Sequence, residues 1–408
     1  MPAAETFVIV GASMAGGRAA EALRQEGFAG TIILVGAEPE RPYERPPLSK
    51  DVLRGEAPED KAFLRSPDYY AEQSIELRLG IAAERLIPAE RTIALAGGER
   101  LRYDKLLIAT GAKVRRLAIP GVDLPGVFYL RTIRDARAIR DATESDQPVV
   151  VIGAGFIGAE VAASCRMKGR DVTVLEVLPV PLQRVLGDEV GQIYARIHRE
   201  HGIDLRLGEG IAEFRGDGRL EEVVTSAGER IPCGVAVVGV GVQPEAAWLE
   251  GSGIALQNGV LVDEFSATNL PNVYAAGDVA SWWHPTLGER LRVEHWDNAQ
   301  NQGIAAAKSM LGKGEAYAPV PYFWSDQYDL TLQYVGHASG QDEVVCRGSP
   351  DPRKLLAFYL RDGRLRAAIG INRFKDVTAV RRLLRNQVAV TREQLADEQT
   401  DLRKLAPR

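Results

Sequence analysis

The chain has 408 residues, which is too many for one ordinary hydrophobic core, so we expect two or three domains. Apolar residues make up 45% of the chain and charged residues 26%, a composition that excludes a disordered protein. The formal net charge of -5 argues against a general nucleic-acid binder, which needs basic charge to neutralise phosphates.

The first predicted unit is a strand, a glycine turn and a helix. Apolar residues 7–10 lead into the run Gly11-Ala12-Ser13-Met14-Ala15-Gly16, a helical pattern follows, and a second strand is expected at 31–35. In a dinucleotide-binding turn of this kind the second glycine lets backbone amides approach a pyrophosphate, and here Ser13 stands in its place. Because serine adds only a small hydroxyl, we expect an anion to reach the helix N-terminus all the same.

A second unit of the same kind has all three glycines. Residues 149–152 lead into Gly153-Ala154-Gly155-Phe156-Ile157-Gly158, and a strand at 172–175 delivers Glu176. A carboxylate at that position accepts hydrogen bonds from an adenosine ribose and repels a 2'-phosphate, which favours NAD over NADP, although Arg184 lies nearby. Two such units in one chain predict two dinucleotides, with a flavin taking hydride from a nicotinamide.

From about residue 321 the pattern changes to short alternating strands. We expect these strands within 330–339, 342–348, 354–360 and 364–372, followed by a helix at 376–387, which together predict an antiparallel sheet with helices. The predicted fold class is α/β, with two Rossmann-like dinucleotide-binding domains, one inserted in the other, and an α+β C-terminal domain, the arrangement of glutathione reductase. The predicted boundaries are 1–112 and 241–320 for a split FAD-binding domain, 113–240 for the NADH-binding domain and 321–408 for the C-terminal domain.

The cysteines and histidines form no recognisable disulfide, redox or metal-binding motif. Cys165, Cys233 and Cys346 form no C-x-x-C motif, so we expect reduced thiols that are buried or half-buried. His198 and His201 lack the partners of a zinc motif; we interpret them as a solvated helix end and predict no metal site. The sequence has neither a recognisable secretion signal nor a membrane-spanning run, and we predict a cytoplasmic protein.

Segments distributed over essentially the whole chain carry a family resemblance. The chain resembles the flavoprotein NADH-dependent ferredoxin reductases of bacterial oxygenase systems, the family of putidaredoxin reductase and the biphenyl dioxygenase ferredoxin reductase. The matching segments are "RPYERPPLSK" (41–50), "YDKLLIATGA" (103–112), "FYLRT" (128–132), the complete glycine turn with Glu160 and Glu176, "NVYAAGDVA" (272–280), "EHWDNAQNQG" (294–303) and "YFWSDQY" (322–328).

The resemblance implies that the first turn holds FAD and the second holds NADH. Relatives often carry Asp where this chain has Ala37, so we assign the expected contact with the adenosine ribose to the next residue, Glu38. Asp278 is expected to bind a ribitol hydroxyl, and Trp296 to offer its backbone to the flavin from the start of a helix at 297–311. The implied cofactor contacts are Gly11, Ser13, Ala15, Gly16, Glu38, Arg45, Lys50, Ala83, Thr110, Gly111, Arg131, Gly277, Asp278, Glu294 and Trp296, with Gly153, Gly155, Phe156, Ile157, Gly158, Glu176, Arg184 and Gly241.

The resemblance also implies the catalytic residues and the partner. Lys50 and Glu160 would form an interacting pair beside the stacked nicotinamide and flavin, and Trp324 would lie against the isoalloxazine. The electrons would pass singly to an acidic 2Fe-2S ferredoxin that feeds a cytochrome P-450 or a ring-hydroxylating dioxygenase. An acidic ferredoxin requires basic docking residues, for which the candidates are Arg65, Arg373, Lys375, Arg381, Arg382 and Arg385.

Three alternatives share the two-nucleotide layout. A disulfide reductase, or an NADH oxidase or peroxidase, needs a redox cysteine after the first helix, but residues 13–152 contain no cysteine. A signalling flavoprotein similar to apoptosis-inducing factor needs a basic surface to bind DNA, which the net charge does not favour. A rubredoxin reductase differs only in the acceptor, and the sequence leaves that choice open.

Overall fold

The computed structural model describes residues 5–340, 342–349 and 353–405, which form two compact units. The first unit consists of residues 5–44, Asp60–Lys113 and Val242–Pro319, and the second of Arg45–Glu59, Val114–Gly241 and 320–405. The short segment Arg45–Glu59 thus belongs to the second unit. The three predicted domain boundaries remain a prediction, and each unit is described by itself below.

The first unit is built on a five-stranded parallel sheet. Its strands are apolar and buried because helices pack on one face of the sheet and two small sheets pack on the other, and they include both strands of the first predicted turn. The helices of this unit are α1 (Met14–Gln25), the short α3 (Tyr69–Glu72) and α7 (Trp296–Met310). The strand order is β19 (Val273–Ala275), β7 (Lys105–Ile108), β1 (Thr6–Val10), β2 (Thr31–Gly36) and β3 (Ile75–Leu79).

Two small sheets complete the first unit. They pack against one face of the parallel sheet in a core that contains the fully buried Trp282. One consists of β4 (Ala83–Ile87), β5 (Thr92–Leu95) and β6 (Arg100–Arg102), and the other has the order β18 (Val260–Val262), β20 (Ala280–His284) and β21 (Glu289–Leu291). The strands β8 (Ala112–Val114) and β17 (Val242–Pro244) lie where the chain leaves and re-enters this unit.

A second five-stranded parallel sheet lies in the second unit. Its helices are α2 (Asp51–Arg54), α4 (Ile133–Ala142), α5 (Phe156–Met167) and α6 (Gln183–Glu200). The strand order is β12 (Asp204–Leu207), β11 (Val172–Glu176), β10 (Val149–Ile152), β16 (Val235–Val238) and β9 (Val127–Tyr129). A three-stranded antiparallel sheet, β13 (Ile211–Arg215), β14 (Glu222–Thr225) and β15 (Arg230–Pro232), accompanies it.

The C-terminal part of the second unit is the predicted antiparallel sheet, with a fifth strand at Tyr322–Gln327 in addition to the four predicted. One face shares a core with the apolar stripe of α6, and the other is covered by α8 (Phe374–Arg385), α9 (Arg392–Ala396) and α10 (Leu402–Leu405). Helix α8 begins and ends two residues before the predicted 376–387. The strand order is β22 (Tyr322–Gln327), β23 (Leu330–Gly336), β26 (Arg364–Ile371), β25 (Leu355–Arg361) and β24 (Glu343–Arg347).

The structure confirms the predicted fold class, with two parallel five-stranded sheets and an α+β C-terminal region. None of the helices in the described part of the chain is long and apolar enough to cross a membrane.

Candidate functional site

The first glycine turn leaves the start of helix α1 open. A Cβ on Gly16 would lie 1.9 Å from the carbonyl oxygen of Gly11, so the helix and the turn pack too closely for any other residue. Ser13 is the N-cap, but its hydroxyl bonds the carbonyl oxygen of Tyr43 (3.3 Å) instead of a first-turn amide. Among the described residues no side chain caps these amides, and the first turn of α1 has no acid. This geometry suits an anion.

The second glycine turn has the same geometry in the second unit. A Cβ on Gly158 would lie 2.0 Å from the carbonyl oxygen of Gly153, which again requires glycine for packing. Gly155 is different, because a Cβ on it would meet no described atom within 4 Å. Gly155 is the N-cap of α5, and this helix also lacks a side-chain cap in the part of the chain described and has no acid in its first turn. The open space at Gly155 therefore fits a dinucleotide pyrophosphate.

Glu176 lies beside the second turn at the end of β11. Its carboxylate accepts the backbone N–H of Ala154 at 2.6 Å and that of Leu178 at 2.9 Å, so it holds the turn in place. The following Val177 is 60% exposed, and Arg184 is exposed on the first turn of α6. Gly241 follows β16, the strand next to β10, and its carbonyl oxygen accepts the backbone N–H of Arg115 at 2.9 Å.

The first unit brings its predicted contacts to one edge of its sheet. The carboxyl ends of neighbouring parallel strands lie together, and this is the edge at which such sheets bind nucleotides. Thr110 and Gly111 follow β7, Gly277 and Asp278 follow β19, and Glu38 follows β2, while β1 leads into the first turn. A Cβ on Gly277 would lie 3.0 Å from the Cβ of Ala15, which shows how closely the two segments approach.

Several predicted side chains in the first unit have protein partners. The Tyr43 hydroxyl donates to Glu38, and Trp296, the first residue of α7, donates its indole N–H to Glu44 at 2.8 Å. The carboxylate of Glu294 pairs with Arg292 at 2.7 Å, the hydroxyl of Thr110 donates to the carbonyl oxygen of Glu245 at 2.6 Å, and Ala83 is half-buried at the start of β4. Backbone atoms of these segments therefore remain the better candidates for cofactor contacts.

The predicted catalytic pair, Lys50 and Glu160, meets inside the second unit. The Lys50 Nζ lies 2.9 Å from Glu160 Oε2 and 3.2 Å from the carbonyl oxygen of Pro46. The side chain of Glu160 is 4% exposed and that of Lys50 is 11% exposed. A buried ion pair of this kind is stable only when further hydrogen bonds satisfy the carboxylate.

Two serines supply those hydrogen bonds, and the sequence analysis missed both. The Ser49 hydroxyl donates to Glu160 Oε2, and the Ser325 hydroxyl donates to Glu160 Oε1 at 2.7 Å. Gln327 donates its amide to the Ser325 oxygen at 3.2 Å. The available signal was the "YFWSDQ" strand, in which Ser325 and Gln327 occupy the alternate positions that a sheet buries.

Trp324 points to the opposite face of the same strand. Its indole N–H donates to Asp326 at 3.1 Å, and its ring stacks near Tyr322 with 6.3 Å between centroids. Asp326 also accepts the hydroxyl of Thr331 at 2.7 Å. Lys50 and Asp326 both line a polar cavity of about 360 Å³ in this unit.

Two further predicted residues, Arg45 and Arg131, lie together in the second unit. The Arg45 guanidinium donates to the backbone carbonyl oxygen of Arg131. At the N-terminus of α5, Phe156 contacts Phe323 edge to face at 4.8 Å, and Ile157 is 48% exposed.

Some of the candidate docking residues form ion pairs with nearby carboxylates, and others are exposed. Arg65, in the first unit, pairs with Glu21 at 2.8 Å, and Arg373 pairs with Asp376 at 2.6 Å. Arg381 lies over the Tyr322 ring, Arg382 is half-buried, and Lys375 and Arg385 are exposed.

The expectation for His198 was wrong. Its side chain is 2% exposed, because the stripe of α6 that packs on the C-terminal sheet includes it, and its Nδ1 lies 2.9 Å from the Tyr328 hydroxyl. Burial lowers the pKa of His198 to about 4. His201, half-buried, stacks on the same Tyr328 ring at 3.7 Å between centroids.

The three cysteines are unsuited to redox chemistry. Cys165 and Cys233 are buried, and burial raises the pKa of each thiol to about 12. Cys346 is exposed, which departs from the expectation of buried or half-buried thiols, and burial of its sulfur together with the Glu189 carboxylate raises its pKa to about 11. The described residues contain no cluster of three or more side chains suited to a metal.

Comparison with known proteins identifies the family. The profile described as pyridine nucleotide-disulphide oxidoreductase matches residues 5–303, and the profile described as reductase C-terminal matches residues 322–406. The chain belongs to the pyridine nucleotide-disulphide oxidoreductase family. Members of this family bind FAD and NAD(H), so the two glycine turns belong to an oxidoreductase with these cofactors.

Within the family, the chain is similar to several ferredoxin reductases. The chain is 41% identical to the 5,5'-dehydrodivanillate O-demethylase ferredoxin reductase subunit of Sphingobium sp., over 98% of this chain and 97% of the relative. It is 39% identical to the rhodocoxin reductase of Rhodococcus erythropolis, over 98% of this chain and 93% of that relative.

Solved structures of ferredoxin reductases are similar to this chain over nearly its whole length. A ferredoxin reductase for the CYP199A2 system from Rhodopseudomonas palustris matches with a TM-score of 0.95 and 37% identity, covering 99% of this chain and all of the other. The covalent putidaredoxin reductase–putidaredoxin complex matches with a TM-score of 0.96 and 33% identity, covering 99% of this chain and 98% of the other.

Proposed function

We propose that this chain is an NADH-dependent ferredoxin reductase: it oxidises one NADH, reduces two molecules of a 2Fe-2S ferredoxin and releases one proton. The observation that carries the proposal is the pair of glycine turns, each opening a helix whose first turn lacks a side-chain cap among the described residues. The proposed ferredoxin would serve an oxygenase, as the names of the relatives indicate for those proteins.

Each unit would hold one cofactor. The edge formed by the first turn, Thr110, Gly111, Gly277 and Asp278 suits FAD, and the turn beside Glu176 suits NADH. FAD, when bound, supplies the conversion between a two-electron donor and one-electron acceptors. The split FAD-binding domain, the inserted NADH-binding domain and the C-terminal domain belong to this proposal with the boundaries given above.

Glu176 would set the nucleotide preference. Its carboxylate is held in one orientation by two backbone N–H groups, so it presents negative charge where a 2'-phosphate of NADPH would lie. Arg184 is the exposed cation closest in sequence, and nothing in the described contacts directs it toward Glu176. We therefore expect NADH to be preferred.

Lys50 and Glu160 would order the nicotinamide side of the reaction. Their mutual contact is nearly excluded from water, so the ammonium and the carboxylate interact more strongly than they would at the surface. Trp324, on the opposite face of β22, would contribute its ring to the acceptor side. A rubredoxin remains the alternative acceptor, and the cytoplasm is the proposed compartment because NADH is supplied there.

An anaerobic experiment tests the proposal. The purified protein is reduced with NADH or, separately, NADPH, and an oxidised 2Fe-2S ferredoxin is added while its bleaching is followed over a salt series. The proposal expects rapid flavin reduction with NADH, slower reduction with NADPH, and ferredoxin bleaching that weakens with salt. A flavin that passes electrons only to oxygen or peroxide, even with several ferredoxins and a rubredoxin offered, would instead establish an oxidase.

A further inference from the structure

We infer that Ser325, on the first strand of the C-terminal sheet, is a positioning residue for Glu160 in NADH oxidation, with Gln327 fixing the direction of its hydroxyl. The inference rests on the proposed function and adds the C-terminal sheet to the NADH side of the reaction. Neither residue touches the turn that would hold NADH; both act through the Glu160 carboxylate.

The first argument is the number of donors on Glu160. Lys50 and Ser49 both contact Oε2, whereas Ser325 is the donor found on Oε1 among the described residues. A carboxylate bound through one oxygen alone can rotate about its last bond, and a donor on the second oxygen fixes the plane of the group. Ser325 therefore decides which way the carboxylate faces while Lys50 and Ser49 hold its other oxygen.

The second argument is the direction of the Ser325 hydroxyl. Gln327 Nε2 lies 3.2 Å from Ser325 Oγ, and an amide N–H can only donate. The Ser325 oxygen is thus used as an acceptor, and its own hydrogen is left for Glu160 Oε1 at 2.7 Å. Ser325 and Gln327 are each 1% exposed, so water does not compete for either bond.

The third argument is the match between strand β22 and helix α5. Phe323 contacts Phe156 and Ser325 contacts Glu160, which pairs two residues two apart on the strand with two residues four apart on the helix. Two strand residues span about 6.6 Å and four helix residues about 6 Å, so the two rows stay in register. One turn further along α5, Ser164 donates to the carbonyl oxygen of Ser49 at 2.7 Å.

This match has a chemical consequence. The helix that begins at the second glycine turn is held against β22 by one aromatic contact and one hydrogen bond, and the hydrogen bond ends on the predicted catalytic carboxylate. A hydroxyl satisfies that carboxylate without adding a second cation, so Lys50 remains its only charged partner among the described residues. Ser325 therefore orients the carboxylate without neutralising it.

The test uses the flavin-loaded protein and three variants. Ser325→Ala removes the donor, and Ser325→Thr keeps a hydroxyl. Ser281→Ala is the matched control, since Ser281 is also a buried strand serine, 5% exposed, but belongs to the first unit and is not one of the donors to Glu160. Single-turnover flavin reduction by NADH is measured over a range of NADH concentrations, which separates the limiting rate from NADH binding. Binding of NAD⁺ is measured by calorimetry.

For Ser325→Ala we expect reduction to slow about tenfold, the amount expected for one hydrogen bond to a charged group. NAD⁺ affinity should change less than twofold, Ser325→Thr should recover most of the rate, and Ser281→Ala should behave as the wild type.

A second readout does not depend on turnover. Urea unfolding of Ser325→Ala, Glu160→Gln and the double variant forms a cycle, in which the double variant should lose less stability than the two single losses added together. Additive losses, or a wild-type rate of flavin reduction in Ser325→Ala, would overturn the inference. A wild-type flavin that NADH does not reduce would instead overturn the proposed function.

Discussion

Replacing Gly155 by alanine separates packing from nucleotide binding at the second turn. Most glycines of such turns are required by the protein itself: a Cβ on Gly158 would lie 2.0 Å from a backbone oxygen, and its replacement would disturb the fold. A Cβ on Gly155 meets no described atom within 4 Å, and its φ of -72° and ψ of 180° suit alanine as well as glycine. The only neighbour that a methyl group would displace is a bound ligand.

The expected magnitudes follow from that geometry. Gly155→Ala should change the free energy of unfolding by less than about 1 kcal/mol, because the smaller conformational freedom of alanine in the unfolded chain is offset by the poorer N-cap that alanine makes. A methyl group forced into a filled site costs about 1–3 kcal/mol, which corresponds to NAD⁺ binding that is weaker by roughly 5- to 150-fold. Ser13 at the equivalent position of the first turn shows that a small side chain is compatible with the backbone there.

The assay pairs urea unfolding with calorimetric titration of NAD⁺. Gly340→Ala is the control, since Gly340 lies in the same unit and a Cβ on it also meets no described atom within 4 Å. If Gly155→Ala bound NAD⁺ with wild-type affinity, the second turn would not hold the pyrophosphate. If it unfolded as readily as Gly158→Ala, the argument from open space would be wrong.

The other predictions concern charge and titration. Charge reversal at Lys375 or Arg385 should raise the KM for an acidic ferredoxin several-fold at low ionic strength and weaken its salt dependence, which steady-state assays over a salt series would check. The pKa of His198 is about 4 in the folded protein and near 6.5 in the unfolded chain, so the unfolded state binds more protons between these pH values. The contribution of His198 to the free energy of unfolding is therefore complete above about pH 6.5. It falls by roughly 3 kcal/mol as the pH drops through 4. In His198→Gln the urea concentration at the unfolding midpoint should depend less on pH over that range. An unchanged pH dependence would show that His198 does not cause it. Among the three thiols only Cys346 should react with a disulfide reagent in the native protein, and slowly at pH 7, because its pKa is raised to about 11 beside Glu189; Cys346→Ala should abolish the reaction.

Sequence was sufficient where the signal is local. The two glycine turns were predictable because strand, turn and helix follow one another within 30 residues and the glycine spacing has a steric cause. The antiparallel C-terminal sheet was predictable for the same reason, since each strand is a short alternating run. Boundaries differed by one or two residues, as for α7, which begins at Trp296 where residue 297 was expected.

The side-chain environment was not predictable to the same extent. His198 follows Tyr194 and Ile197 at helical spacing, so it lies on the buried stripe, yet its polarity favoured a solvated helix end. Ser325 is 165 residues from Glu160 in the chain, and nothing in either local sequence indicates the partner of the other. Such contacts arise from the way one element packs on another, which local patterns do not encode.

Helix α5 connects these observations. Its first residue follows the turn that suits a pyrophosphate, Glu160 lies one turn later, and Ser164 one turn after that, all on the face that meets Phe323, Ser325 and Ser49. The helix has 12 residues, so the proposed pyrophosphate site and Glu160 lie about one helical turn apart on the same element. The carboxylate is anchored to β22 and to the Pro46–Ser49 turn by bonds to two hydroxyls and an ammonium. The proposed nucleotide turn and the Lys50–Glu160 pair are therefore the two functional features of one helix, and the C-terminal sheet supplies one of the residues that anchor its carboxylate.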